Sequence, residues 1–439
     1  MSHQQQGATS NCNTSLRTMI RLFCAAVIAT TMMAQAQTFS VLHSFTGGSD
    51  GSSPMAGLSI DGRGNLYGTT QKGGNSGTNC HVNYLVNGCG TAFKVVPGGS
   101  GWALTPIYSF TGESDGAEPS SRVVFGPDGA LYGTNVAGGN QSGNCTVLDG
   151  CGTVYRLTPQ ATACKTPLCP WVETPVWIFQ NPTVEGGLPS GDPIFDNAGI
   201  LYDTTGIGGS TACGDGLGCG TVFELTNSGS GWLENVLYAF PQPFQNPLSG
   251  VIADSSGKLY GTIQSYSGNF SSAVFQLVPN GSGWTENTLY EFVGSQNGNK
   301  ARAGLVFNQM GYLVGGTEYG GQTNFGTIFQ LNPLPNESWN FSTIYNFQRA
   351  AGGPWANLTV DSAGNLYGTA MVDGAHTFGS VFKLTFTDQG WVYTDLHDFN
   401  ISDGAYPISS VLIDANGNLY GTTSQGGAYG YGVVWEITP

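Results

Sequence analysis

The acidic side chains are where residue type and spacing could carry chemistry. Four of them stand four residues before a proline: Asp50 before Pro54, Asp115 before Pro119, Glu185 before Pro189 and Asp403 before Pro407. A fifth, Asp203, replaces the glycine of a phrase that recurs along the chain. Two carboxylates flanking a sugar ring can cleave a glycosidic bond when their separation fits, so Asp203 with Asp50 or Asp115 is the set a secreted hydrolase or lyase would use. Acidic oxygens around one mouth could instead gather Ca2+, a hard cation that takes six to eight oxygen ligands. The Asp-Gly-x-x-Pro phrase also reads as a turn whose Asp caps nearby backbone N–H groups. Neither an EF-hand loop nor a calcium nonapeptide is present, so no metal ligand is assigned and no cofactor is expected.

Other reactive types are sparse. His43 and His397 occupy a position held elsewhere by Tyr108, Trp177, Tyr238, Tyr290 and Tyr345, which reads as packing. His81 and His376 have no neighbouring nucleophile, and the G-x-S-x-G, H-E-x-x-H and Walker phrases are absent. Aromatic residues in loops are better placed to touch a ligand: Tyr84, Trp355, Tyr406, Tyr429 and Tyr431. The expected binding set is therefore Asp50, Asp115, Glu185 and Asp403 with Tyr84, Tyr406, Tyr429 and Tyr431.

The elements that must position these residues are repeats. The stretch Gly64-Asn65-Leu66-Tyr67-Gly68-Thr69-Thr70 returns at Leu131, Leu201, Leu259, Leu313, Leu366 and Leu419, at a mean interval of about 59 residues. Each repeat carries four apolar segments. A short one such as Gly57-Leu58-Ser59-Ile60 leads through an Asp-to-Gly turn (Asp61-Gly62-Arg63-Gly64) into the Leu-Tyr-Gly-Thr strand, and Asp and Gly there supply tight-hairpin chemistry. A third segment follows (Gly90-Thr91-Ala92-Phe93), then a fourth that starts near Trp102, Trp232, Trp284, Trp339 or Trp391 and closes on a phenylalanine.

The ends fix the expected topology. The seventh repeat lacks a fourth strand, whereas Phe39-Ser40-Val41-Leu42-His43-Ser44-Phe45 precedes the first repeat and has the fourth-strand pattern. The sequence thus predicts an all-β fold, a seven-bladed β-propeller of four-stranded antiparallel blades over 37–439, closed by an N-terminal strand at about 38–45 that completes the last blade. The inter-repeat loops and the long second-to-third-strand loops share one face, the candidate binding face.

Arg17 and Arg21 precede the apolar run Leu22–Met33 and the Ala34-Gln35-Ala36 cleavage pattern, so residues 1–36 read as a secretory signal. Without them 11 basic side chains face 28 acidic ones, a net charge of −17 against −15 for the whole chain. That balance disfavours nucleic acid as a partner. No later stretch is long and apolar enough to span a membrane. Eight cysteines fall in close pairs, Cys80 with Cys89, Cys145 with Cys151, Cys164 with Cys169 and Cys213 with Cys219, which in an exported chain points to disulfides.

The phrase D-x-x-G-N-L-Y-G-T-T-x-x-G-G followed by G-T-V-F-x-L resembles the bacterial Gloeo/Verruco (GloVer) tandem repeat over residues 38–439. The resemblance implies export and a propeller-like repeat; it carries over no catalytic residue. The expected function is a secreted, extracytoplasmic, monomeric and non-catalytic binding module for a neutral glycan or an extracellular protein. A carboxylate-dependent glycoside hydrolase or lyase, and a structural surface or adhesion protein, are the alternatives.

Overall fold

In the computed structural model, the described residues are 37–439 except 75–79, 83–84, 87, 100, 161–170, 210–212, 214–215, 242–245, 265–271, 282, 294–295, 336–337 and 350–351. The expected leader 1–36, Tyr84 and the Cys164/Cys169 pair lie outside them. Phe39–Thr438 form one compact unit.

Each repeat folds as an antiparallel meander, and seven of these sheets make a seven-bladed β-propeller. Blade 1 runs Ser59–Ile60, Leu66–Thr70, Thr91–Gly98 and Gly101–Ser109. Blade 7 takes Leu412–Ile413, Leu419–Thr423 and Val433–Thr438 from the C-terminal end and Thr38–Ser44 from the N-terminal end, the closure that the sequence predicts. The first strands are shorter than the apolar segments suggested, two residues each. Blades 2 and 3 gain an extra strand, Ala117–Pro119 and Gly187–Pro189, because their second strands, Leu131–Ala137 and Leu201–Ile207, run longer. No α-helix occurs among the described residues, which hold one 3-10 turn at Gly143–Leu148.

The recurrent phrase holds the blades through three contacts. Its Asp caps the hairpin and binds the strand that follows: Asp61 accepts from the Arg63 and Asn65 N–H groups (2.9 and 3.0 Å) and from the Tyr67 hydroxyl (3.0 Å). The same Tyr-to-Asp clasp recurs at Tyr132–Asp128, Tyr202–Asp196, Tyr260–Asp254, Tyr367–Asp361 and Tyr420–Asp414. Blade 5 has Val314 and Asn308 at the two positions, so the partners are lost together. The phrase's glycine lets the third-strand ring lie across the sheet, since a Cβ on Gly68 would stand 2.6 Å from Phe93 Cζ.

The third contact joins neighbouring blades. The first Thr after that glycine donates to a backbone carbonyl of the next blade, as in Thr69 to Ser121 O (3.3 Å), Thr262 to Ala303 O (3.2 Å) and Thr369 to Ser409 O (2.9 Å). Thr422 of blade 7 makes the equivalent bonds to Pro54 O and Ala56 O (3.3 and 3.2 Å), and so closes the ring. Aromatic rings pack the same seams: Tyr67 meets Phe125 and Trp171 of blade 2, and Tyr420 meets Trp102 of blade 1. The disulfides Cys80–Cys89, Cys145–Cys151 and Cys213–Cys219 staple the long loops of blades 1 to 3.

Candidate functional site

The inter-repeat acids cap their own loops. Asp50 accepts from Thr46 N (2.9 Å), Thr46 Oγ1 (2.5 Å) and His43 Nε2 (3.0 Å). Burial pushes its carboxyl up, but the bonds from Thr46 and His43 outweigh it and hold the group below the usual range. Asp115 accepts from Thr111 N (2.8 Å), Thr111 Oγ1 (2.6 Å) and the Tyr108 hydroxyl (3.0 Å). Glu185 takes Gln180 N, Asn181 N and Trp177 Nε1, and Asp403 takes Asn400 N and Nδ2 with His397 Nε2 at 3.2 Å. In these four loops the His, Tyr or Trp near the end of the fourth strand is thus the loop's second anchor. Among the expected rings, Tyr429 and Tyr431 are exposed and Tyr406 is half-buried against Phe378.

Asp203 has a different setting. It stands where six blades have glycine, and Pro193 stands where Leu58, Leu305 and Leu358 of blades 1, 5 and 6 would crowd a side chain at that position. Its Oδ1 accepts the Thr204 N–H (2.7 Å), while Oδ2 is buried with no hydrogen-bond partner among the described residues. Burial drives this carboxyl well above the usual range, the Thr204 bond opposes the shift, and the charge of Asp192 adds to it. The carboxylate that Asp203 feels is therefore Asp192, rather than Asp50 or Asp115. Asp192 accepts the Arg122 N–H (2.8 Å), lies 3.5 Å from Arg122 Nε, and faces an axial cavity of about 100 Å3 to which all seven blades contribute.

A large concavity lies on the other face, a groove of about 1150 Å3 between blades 4 and 5. The blade 4 hairpin and the turn between the third and fourth strands of blade 5 border it, so it opens on the tight-hairpin side, away from the long loops. Its wall is the inter-blade aromatic set Tyr260, Phe307 and Trp339. Beside these rings an amide chain runs outward: Gln276 Nε2 donates to the Tyr260 hydroxyl (2.9 Å) and Asn287 Nδ2 donates to Gln276 Oε1 (3.2 Å). The cross-strand position of Gln276 holds Lys94, Arg156, Glu224, Lys383 and Glu436 in five other blades. The groove is therefore aromatic and amide-lined where most seams carry charge. The rim charges Lys258 and Asp254 have opposite signs.

Sequence reasoning missed this groove because its aromatic residues belong to the repeat. The available signal was Gln276, which with Gln330 of blade 5 is neutral in a column otherwise charged. Among the described residues no group of three His, Cys, Asp or Glu side chains is arranged to hold a metal ion. Among them, too, no helix is long and apolar enough to cross a membrane.

The family model described as the Gloeobacter/Verrucomicrobia repeat matches residues 27–242, 149–354 and 336–439. No curated protein matches the chain. Among solved structures, a fungal alcohol oxidase of the AA5 family in complex with copper is similar at 14% identity and a TM-score of 0.53, over 92% of this chain and 77% of that one. A putative 6-phosphogluconolactonase from Bacteroides uniformis is similar at 13% identity and a TM-score of 0.44, over 81% and 86%. A putative oxidoreductase (glucose dehydrogenase) from Thermus thermophilus gives 14% and 0.43, over 92% and 100%. At these identities the likeness concerns the fold alone.

Proposed function

The chain belongs to the Gloeobacter/Verrucomicrobia repeat family, and from that premise we propose that it is an exported, non-catalytic binding module whose ligand is a neutral glycan held in the groove between blades 4 and 5. The observation that carries this reading is the pairing of the half-buried rings Phe307 and Trp339 with the amides Gln276 and Asn287 in one concavity. Sugar C–H faces lie on aromatic rings, while amides and hydroxyls donate to and accept from vicinal sugar hydroxyls. The groove exceeds the roughly 300–1,000 Å3 usual for a small-molecule pocket, so it suits an oligomer better than a single ring. Export is supported by the three disulfides, which persist in oxidising compartments.

A carboxylate-dependent hydrolase remains the second reading, favoured by Asp192, which faces the axial cavity, with the buried carboxyl of Asp203 behind it. Thermal unfolding of the oxidised chain against neutral and acidic oligosaccharides, with released reducing ends assayed in the same wells, separates the two. A binding module is stabilised by mass action with a neutral oligosaccharide and releases nothing, and Trp339→Ala removes that shift. Release of reducing ends that Asp192→Asn abolishes would replace this reading with the enzyme. A shift given only by acidic oligosaccharides would refute both the groove and its neutral ligand.

A further inference from the structure

The axial cavity holds side chains that neither the fold nor the groove uses. The residue after the inter-repeat proline, or after Ala301 where blade 5 lacks that proline, lines the cavity in every blade, and the residue two further on lines it in five. At these positions the charged residues are Arg122, Asp192 and Arg302.

Arg302 stacks on the Trp355 ring, its guanidinium carbon 4.0 Å from the ring centre. Its ion-pair partner, Glu318, is buried and 3.8 Å away, beyond hydrogen-bonding distance. Arg302 is 35% exposed and donates no hydrogen bond among the described residues. A guanidinium held flat on an indole keeps its fork of N–H donors for a carboxylate. Beside it, Asn357 spends its Oδ1 on the Gly304 N–H (2.7 Å), which leaves its Nδ2 donors to the cavity. On blade 3, Asp192 keeps Oδ2 short of a close partner, since Arg122 Nε stands 3.5 Å away. The cavity thus has an anion-accepting side on blades 5 and 6 and a cation-accepting side on blade 3. Across the ring from blade 4, Met55 and Ile408 give it an apolar wall.

We propose that this end of the channel is a second binding site, for a small zwitterion of the α-amino acid class, with its carboxylate on Arg302 and Asn357, its ammonium on Asp192 and its side chain against Met55 and Ile408. Neither charge alone suits the cavity, because Arg302 and Asp192 each retain a weak internal partner that balances the empty site. A ligand carrying both charges satisfies both sides with no net change. Asp203, directly behind Gly191, supports Asp192 as a positioning residue. The site does not depend on the groove.

The test is calorimetric titration of the oxidised full chain with L-valine, and with isobutyrate and isobutylamine as its two halves. Valine should bind saturably, and each half at least about tenfold more weakly, because each leaves one charged group unanswered. Asp192→Asn and Arg302→Gln should each weaken valine about tenfold or more, while Trp339→Ala in the groove leaves it unchanged. If Arg302→Gln fails to fold, Arg302→Lys keeps the charge without the planar fork and should still weaken binding. The proposal is overturned by no saturable binding of valine, by a half-ligand that binds as well as valine, or by folded variants that bind like the wild type.

Discussion

Asp203→Asn should turn a pH-dependent stability into a flatter one. The side chain keeps its size, and its amide oxygen can still accept the Thr204 N–H, but there is no longer a proton to hold. In the wild type the folded carboxyl lies well above its unfolded value, first through burial and then through the charge of Asp192. The folded state therefore binds more protons than the unfolded state at any pH between the two values. Stability from this group is fully present below the unfolded pKa of about 3.9 and is lost as pH rises through the folded one. Within that window the loss is about 1.4 kcal/mol for each pH unit per such group. Urea unfolding at a series of pH values from mildly acidic to mildly basic should show the variant gaining on the wild type by up to that slope. Parallel stability profiles would refute the reasoning, because they would mean that Asp203 is ionised and compensated in the fold.

Glu173 should act in the same sense: burial, then the charge of Asp115, pushes its carboxyl up to about 8. Glu173→Gln should therefore gain on the wild type as pH rises from about 4.3 to about 8 in the same urea series, by on the order of 1–2 kcal/mol after allowance for its partial exposure, and not further above that. Thr422→Val removes the hydroxyl that bonds Pro54 O and Ala56 O across the closing seam. It should cost about 1–3 kcal/mol, as should Thr262→Val at the seam between blades 4 and 5; a cost for Thr262→Val alone would mean that the closing seam is already loose. Gly368→Ala would place a Cβ 2.6 Å from Phe382 Cζ and should lower the denaturation midpoint by an amount worth about 1–3 kcal/mol, whereas Gly62→Ala, with open space around it, should change it little.

The fold was legible because each repeat states the same local instructions. The Asp-to-Gly turn, the Leu-Tyr-Gly-Thr strand and the split seventh repeat together name the sheet, its register and the closure. The Asp61–Tyr67 clasp was present in the same phrase but not visible as a contact, since turn chemistry and strand propensity each explain one partner alone. Its logic shows only in blade 5, where Asn308 and Val314 replace both partners. The inter-repeat acids were visible as a column, and the structure shows what the column does locally: each carboxylate anchors the backbone between a fourth strand and the next blade.

The residues of the two proposed sites were harder to read for the opposite reason. Arg122, Asp192, Arg302 and Trp355 share no motif, because each blade contributes a different residue at the same axial position. Only a comparison of the repeats at fixed offsets from the Leu-Tyr-Gly-Thr strand would have brought them together. Gln276 and Asn287 were hidden likewise, as neutral residues inside strands whose pattern is otherwise ordinary. In a repeat protein the shared residues build the scaffold, so the departures from the repeat are where a ligand can be recognised.

The most direct test of the binding reading is hydrogen–deuterium exchange on the oxidised chain with and without a stabilising neutral oligosaccharide. A ligand in the groove should slow exchange in the blade 4 hairpin at 253–260, in its outer strand at 285–289 and around Trp339, and leave the long-loop face unchanged. Protection confined to the loop that carries Tyr429 and Tyr431 would contradict it and return the site to the face opposite the groove.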